Sequence, residues 1–284
     1  MRIERVAIGN ILTRTTGYLK SVSSHSAQPY RGCTLGLSLC GVGCYVRHNR
    51  WVTADRRWGS FLEARGNAAD SYLQNVEKER RWARKQRGEM GVFLSSSTEP
   101  FLPQEEKLGV TRALLEAMRE APPDALIVQT HSDRVARRVD LLRDLAACCR
   151  LRVHVSIETD RERIAGLPPH ANSVESRFVA VRCLRDAGIF TVVTVAPVLP
   201  VEDPKAFFSR IAASADAVVV DHFIGGDGTP DGRRTFATPL PEAMARIDAR
   251  STALEYRERI VAVARRCMPG RVGVSVEGFA GRYA

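Results

Sequence analysis

From residue 91 onward the chain alternates between two patterns. Short, almost wholly apolar runs at 92–94, 125–130, 153–157, 190–200 and 217–223 read as strands buried on both faces. Between them, residues 104–120, 133–149, 173–188 and 203–213 repeat their apolar positions every three or four residues and read as amphipathic helices. The helix over 173–188 carries the strongest signal: Phe178, Val181 and Leu184 share one face, and Ala187-Gly188 forms its stop. Pro122-Pro123 stops the helix before it. Upstream, 67–87 is a further helix around Tyr72, Leu73 and Val76. Downstream, 242–266 reads as one long helix and 272–276 as a last short strand.

Strands alternating with helices predict a parallel sheet, and six such steps predict a partial (β/α)6 barrel of the TIM type. The expected division is a lead-in over 1–29, a barrel core over 30–224 and a C-terminal helical extension over 225–284 packing on the barrel. Each strand ends in polar residues: Ser95 to Glu99, then Gln129-Thr130-His131, then Ser156 and Glu158, then Asp221-His222. In a parallel barrel these residues ring one mouth, where barrel active sites lie. His131 sits at a strand end and divides evenly between site and scaffold. His154 lies inside its strand and reads as a satisfied core histidine. Gly225-Gly226-Asp227-Gly228 follows a strand without opening a helix, so it reads as a substrate-facing loop and not as a phosphate loop.

Composition narrows the class. With 284 residues and 44% hydrophobic content the chain can bury one large core. No apolar run approaches the about 18 residues of a membrane span, and the start lacks the apolar core of a signal peptide. Seven cysteines, an odd number that includes the adjacent Cys148-Cys149, do not resemble a secreted disulfide framework, so a reducing cytoplasmic location is expected. The net charge of +10 implies attraction to polyanions, although much of it is Arg on helices, where a solvated face is the simpler reading. Residues 49–66 interleave Trp51, Trp58 and Phe61 with Arg50, Arg56, Arg57 and Arg65. That mixture suits base stacking with phosphate contact, and equally a partly buried cover.

The chemistry concentrates in residues 30–48. Cys33, Cys40 and Cys44 lie close together among Gly36, Gly41 and Gly43, which let the backbone turn tightly enough for three sulfurs to converge. Three thiolates satisfy three irons of a cubane cluster and leave the fourth open. Two other readings fit the residues: a Cys3His zinc site completed by His48, in a zinc-stabilised nucleic-acid-binding protein, and ordinary buried thiols.

The stretch resembles the cluster loop of radical S-adenosylmethionine (SAM) enzymes. That loop is usually C-x3-C-x2-C with an aromatic residue beside the last cysteine, and Tyr45 follows Cys44 here. This chain has C-x6-C-x3-C, an enlargement that alters the loop path and not the ligand count. Gln28-Pro29-Tyr30-Arg31-Gly32-Cys33 is similar to the approach to the loop in the spore photoproduct lyase-like branch, also called DNA repair photolyase-like. Ser97-Thr98-Glu99-Pro100-Phe101-Leu102-Pro103 resembles that branch's Thr-Asp-Pro-Tyr-Gln-Pro segment, and 173–189 resembles its fourth-helix segment.

The resemblance implies a radical SAM core whose 4Fe-4S cluster, on Cys33, Cys40 and Cys44, reductively cleaves SAM. Methionine leaves, and the resulting 5'-deoxyadenosyl radical abstracts hydrogen from a substrate. It implies Ser96 and Thr98 at the SAM amino group, Ser156 and Glu158 at the ribose, Arg177 gripping a carboxylate, and the strand over 190–200 against the adenine. It also implies an electron donor such as flavodoxin or ferredoxin. A nucleic acid is the leading substrate class, with a peptide or small metabolite as the alternative, because a fold does not fix its chemistry. No residue is assigned as catalytic. Cys148, Cys149, Cys183 and Cys267 are candidate hydrogen donors that read better as packing residues.

Overall fold

The structure, a computed structural model, describes residues 2–284. In chain order the strands are β1 (Arg2–Val6), β2 (Leu12–Arg14), β3 (His25–Ala27), β4 (Tyr30–Gly32), β5 (Phe61–Arg65), β6 (Gly91–Leu94), β7 (Ala125–Thr130), β8 (Arg150–Ser156), β9 (Thr191–Val195), β10 (Ala217–Val220) and β11 (Val272–Val274). Among the described residues they form an eight-stranded sheet of order β11-β10-β9-β8-β7-β6-β3-β2 and a three-stranded sheet of order β1-β5-β4. In the large sheet β3 and β6 to β11 run parallel, and β2 pairs antiparallel with β3 at one edge.

The expected alternation of strands and helices is therefore present, in a large parallel sheet whose edge strands do not meet. Among the described residues β11 and β2 end the large sheet without pairing to each other, so it is an open, mostly parallel sheet in a mixed α/β fold. Its first parallel strand, β3, comes from the segment expected to be a lead-in, and its last, β11, from the C-terminal segment. β3 carries little signal of its own: it is three residues long, includes His25 and Ser26, and is held in register by its neighbours. The small sheet was not anticipated either. β5, with buried Phe61, Leu62 and Ala64, is its central strand.

Alternate positions on the strands face two different cores. Leu151, Val153 and Val155 of β8, with Val218 and Val220 of β10, pack in the main cluster with helix residues such as Phe178 and Leu184. The opposite face puts Val192, Ala217 and Val219 into a smaller cluster with Phe279 and Tyr283 from the end of the chain. His154 also lies on this inner face, tilted against the Phe279 ring at 5.9 Å between centroids. It is fully buried as expected for a core position, yet neither ring nitrogen has a hydrogen-bond partner. It is thus not a satisfied histidine. Burial, helped by the Arg152 charge, holds its pKa well below the usual value, so the ring is neutral.

Three helices differ from their periodicity. Residues 104–120 divide at Gly109, which adopts φ +66° between Glu105–Leu108 and Val110–Glu120. The buried Glu105 carboxylate accepts from Thr111 N (3.1 Å) and Arg112 N (2.9 Å), satisfying the free donors of the second helix. Residues 133–138 form a 3-10 turn before the helix Val139–Cys148. The long helix expected over 242–266 is two, Leu240–Ile247 and Leu254–Cys267, because the Asp248 carboxylate accepts from Arg250 N (3.0 Å) and starts a 3-10 turn between them. The helix over 173–188 occurs as Val174–Asp186 with the Ser173 hydroxyl capping Ser176 N at 3.0 Å. Among the described residues no helix is long and apolar enough to cross a membrane.

Candidate active site at the C-terminal mouth of the sheet

The parallel strands carry their C-terminal ends to one cavity of about 350 Å³. Its wall includes Ser95 to Glu99 after β6, Gln129 and His131 at β7, Ser156 and Glu158 at β8, and Asp221 and His222 after β10. Cys33, Cys40, Cys44 and Tyr45 line the same cavity. The loop over 225–228 contributes Gly226, Asp227 and Gly228, consistent with its reading as a loop that faces the site.

The cysteine loop reaches this mouth from β4 and is fixed by close backbone approaches that only glycine permits. A Cβ on Gly41 would lie 2.0 Å from Leu35 O, and one on Gly36 would lie 2.3 Å from Gly59 Cα. The short helix Leu39–Val42 begins at Ser38, whose hydroxyl donates to Leu35 O (2.7 Å) and sits 3.4 Å from Cys40 Sγ. Leu39 then packs with Leu199, Phe223 and Leu240 in a satellite core that holds the loop against the sheet. Burial pushes each of the three thiols up to about 12, so without a metal they are protonated at neutral pH. Metal ligation would release those protons.

The zinc reading fares poorly. His48 is exposed and is not part of the cavity wall. The three thiols border the cavity without it.

The cavity wall also holds polar atoms without partners. Ser95 Oγ, Gln129 Oε1 and Trp58 Nε1 are buried with no hydrogen bond, and all three residues line the cavity. Such atoms cost stability unless a ligand pairs them. Gln129 is held by donating Nε2 to Ser156 Oγ (2.8 Å) and Thr194 Oγ1 (3.0 Å), which leaves its oxygen as the free acceptor. Ser95 adopts φ +68°, a left-handed conformation rare for a non-glycine residue and concentrated at functional sites. Neither residue was singled out for a role from sequence. Gln129 had been placed at the mouth, and only the tertiary hydrogen bonds distinguish it from its neighbours.

The residues expected from sequence fall in three groups. Ser96 and Thr98 line the cavity and are tied to the approach strand: Ser96 Oγ accepts from Gln28 Nε2 (2.8 Å), and Thr98 Oγ1 lies 3.1 Å from Tyr30 O. Ser156 and Glu158 also line it. Arg177 does not. Its side chain is 2% exposed, and Nη1 donates to Glu158 Oε2 (2.8 Å) and to Ser156 O (2.6 Å). The carboxylate it grips is that of Glu158, because β8 brings Glu158 over the start of the helix Val174–Asp186. Remote in sequence, Tyr18 enters the wall by donating its hydroxyl to Asp221 Oδ2 (2.8 Å).

Two carboxylates flank His131 with opposite tendencies. Burial would raise Glu158, but Arg177 and His131, whose Nε2 is 3.1 Å from Oε1, hold it well below the usual carboxylate range. Glu99 accepts from Thr130 Oγ1 (2.6 Å), His131 N (2.7 Å) and Phe101 N (2.9 Å), yet burial wins and its pKa is raised. Burial alone would depress His131; the hydrogen bond and charge of Glu158, with the charge of Glu99, raise it instead. The mouth thus combines three thiols, a fixed carboxylate and unpaired polar atoms around one space.

No family profile matches the chain, and neither does any curated protein. Solved structures do. A spore photoproduct lyase variant superposes with a TM-score of 0.63 at 15% identity, covering 96% of this chain and 81% of that one. The same lyase complexed with a dinucleoside spore photoproduct gives 0.63 at 13% identity, with the same coverage. A variant with bound AdoMet and the dinucleoside gives 0.61 at 14% identity, again with that coverage. At this identity the likeness is one of fold, and it extends over nearly the whole chain.

Proposed function

We propose that the chain is a radical SAM enzyme of the spore photoproduct lyase-like branch, with a 4Fe-4S cluster held by Cys33, Cys40 and Cys44. The observation that carries the reading is the convergence of these three thiols on the cavity that also holds the strand ends and the unpaired polar atoms. The donor set fits the group: three soft thiol ligands without a fourth suit a cluster with one open iron. The fold likeness over 96% of the chain supports the same branch.

When bound, the cluster and SAM supply one-electron chemistry that cleaves SAM to methionine and a 5'-deoxyadenosyl radical able to take hydrogen from a substrate. The chain's own residues bind, orient and exclude water. Ser95, Ser96 and Thr98 offer hydroxyls to the SAM amino group, and Gln129 Oε1 offers an acceptor. Ser156 and Glu158 serve the ribose, with Glu158 kept ionised and fixed in place by Arg177. Arg177 acts as the positioning residue for Glu158. The electron comes from a flavodoxin- or ferredoxin-type donor. Anaerobically reconstituted protein should be brown, carry about four irons as a cubane requires, and form 5'-deoxyadenosine from SAM once reduced with dithionite. Tightly bound zinc with no iron-dependent absorbance would replace this reading with a zinc-stabilised binding module.

For the substrate we favour a nucleic acid. The net charge of +10 supports it, as do two exposed apolar side chains in the sequence around the cysteine loop: Trp51 is 92% and Leu37 77% exposed. A dinucleoside lesion is the ligand of the similar lyase. The aromatic and arginine stretch divides between its two readings. Trp58 and Phe61 are buried, and Arg56 stacks on Phe61 (3.7 Å to the centroid) while pairing with Glu63 at 2.6 Å, so these form a cover. Trp51 and Arg57 remain free to meet a strand. Binding to single-stranded DNA should fall steeply between low and moderate salt, and Arg57→Ala should reduce the salt slope by about 1. Trp51→Ala should cost about 1–3 kcal/mol of affinity through lost base stacking. A salt series with DNA and RNA checks this, and no binding at low salt would leave a peptide or small metabolite as the substrate class.

A further inference from the structure

A second cavity, of about 660 Å³, opens at the opposite end of the sheet, where β6, β7 and β8 begin with Gly91, Ala125 and Arg150. In parallel sheets of this kind the active face is the C-terminal one, and the N-terminal face ordinarily serves stability alone. This face is instead hollow and strongly basic. Lys20, Arg87, Arg150 and Arg152 line it, with Glu89 as the acidic member of the wall. Glu89 is already taken by Arg150. Among the described residues Lys20, Arg87 and Arg152 form no ion pair with any carboxylate. Arg87 spends its donors on backbone carbonyls, Nη1 to Lys20 O (3.2 Å) and Nη2 to Thr15 O (3.5 Å).

Arg152 is the centre of this arrangement. It lies on the inner face of β8, two residues before His154 and four before Ser156, so one strand face runs from this cavity to the active-site cavity. The C-terminal turn is shaped around its guanidinium: Gly281 adopts φ +87°, and a Cβ there would lie 1.7 Å from Arg152 Nη1. Half-buried and without a carboxylate, that charge is costly to hold unless an anion meets it. Beside it, Phe190 (42% exposed) and Tyr283 stack at 6.3 Å with an interplanar angle of 22°, both at the cavity wall. Tyr283 Oη is buried beside the Arg152 guanidinium. Planar guanidinium donors, further cations and an aromatic platform are the components that recognise a phosphate group attached to an aromatic body. The cavity lies within the size range of small-molecule sites.

We propose that this N-terminal cavity is a binding site for a phosphate-bearing ligand, with Arg152, Arg87 and Lys20 as its anion contacts and Phe190 as its stacking surface. The site is separate from the cysteine cavity, and its existence does not depend on the radical SAM reading.

The test is equilibrium dialysis of the full chain against inorganic phosphate and, separately, adenosine monophosphate. Saturable binding of phosphate is expected, and Arg152→Ala should weaken it about tenfold, as loss of a charge-assisted contact does. Lys20→Ala, at an exposed position that leaves folding intact, should weaken it in the same direction. Arg143→Ala, at an exposed arginine outside both cavities, should leave it unchanged. Tighter binding of the nucleotide that is lost in Phe190→Ala assigns the ligand as a nucleotide; equal affinity for the two probes assigns it as free phosphate, and either supports the site. The proposal is overturned if wild-type protein shows no saturable phosphate binding, or if binding is unchanged in both Arg152→Ala and Lys20→Ala.

Discussion

Replacing Cys33, Cys40 or Cys44 by Ala, one at a time, is expected to abolish iron loading and with it all formation of 5'-deoxyadenosine. Each thiol lines the cavity. Cys33 is nearly inaccessible, at 6% exposed, so its replacement by Ala removes a ligand with little volume change and should leave the fold in place. The comparison is Cys183→Ala, at an exposed cysteine outside the cavity, which should load iron like the unmodified chain. Iron content and visible absorbance after anaerobic reconstitution decide the matter. Full iron in any of the three cavity variants would remove that cysteine from the ligand set, and full iron in all of them would end the cluster assignment.

The second large effect is on stability. Arg177→Met should destabilise the protein by about 3–5 kcal/mol, because it leaves the buried Glu158 carboxylate with His131 as its remaining charged partner. In a chain of this length that corresponds to a fall in melting temperature of about 10 °C. The pH dependence has a definite sign. The pKa of Glu158 is depressed in the folded state, so the pair's contribution is present above the unfolded carboxylate value of about 4.3 and is lost as pH falls through the folded value. Without Arg177 the carboxyl pKa rises, and the deficit should be largest near pH 8 and shrink toward pH 5. Denaturant unfolding at those two pH values measures it. A loss below about 1 kcal/mol would show that the pair contributes little more than a surface contact, and a larger loss equal at both pH values would show that the carboxyl pKa does not rise into that range without Arg177. SAM affinity in the same variant reports whether Glu158 must be held to serve its ligand.

Much of this architecture was legible in the chain because burial on both faces of a parallel strand leaves an unbroken apolar run, and Val192, Val193, Val218 and Val219 are such positions. β3 was not legible. Three residues that include His25 and Ser26 make no pattern, and their strand exists through pairing with β2 and β6. The breaks in the expected helices at Gly109 and Asp248 depend on caps that periodicity does not weigh. The partial barrel was an inference from the count of β/α steps, and that count constrains strand order without fixing the curvature of the sheet or whether its edges meet.

For the site, the sequence by itself determined which atoms are available: three cysteines among glycines, and polar residues at the end of each strand. Those features are local, and local spacing fixes them. Only the tertiary structure decided how they are used. Arg177 and Glu158, which sequence reading assigned to separate contacts with a ligand, are partners of each other, because a buried charge takes the nearest counter-charge and the packing of helix on strand sets which one that is. Ser95 Oγ and Gln129 Oε1 became the free polar atoms because neighbouring hydroxyls and amides found partners first. Arg152 was one arginine among many until the folded chain placed it in a hollow whose one carboxylate, Glu89, pairs with Arg150. Which group is left unsatisfied is a property of the whole packed molecule, set by every other pairing in it, and so it cannot be read from any one stretch of sequence.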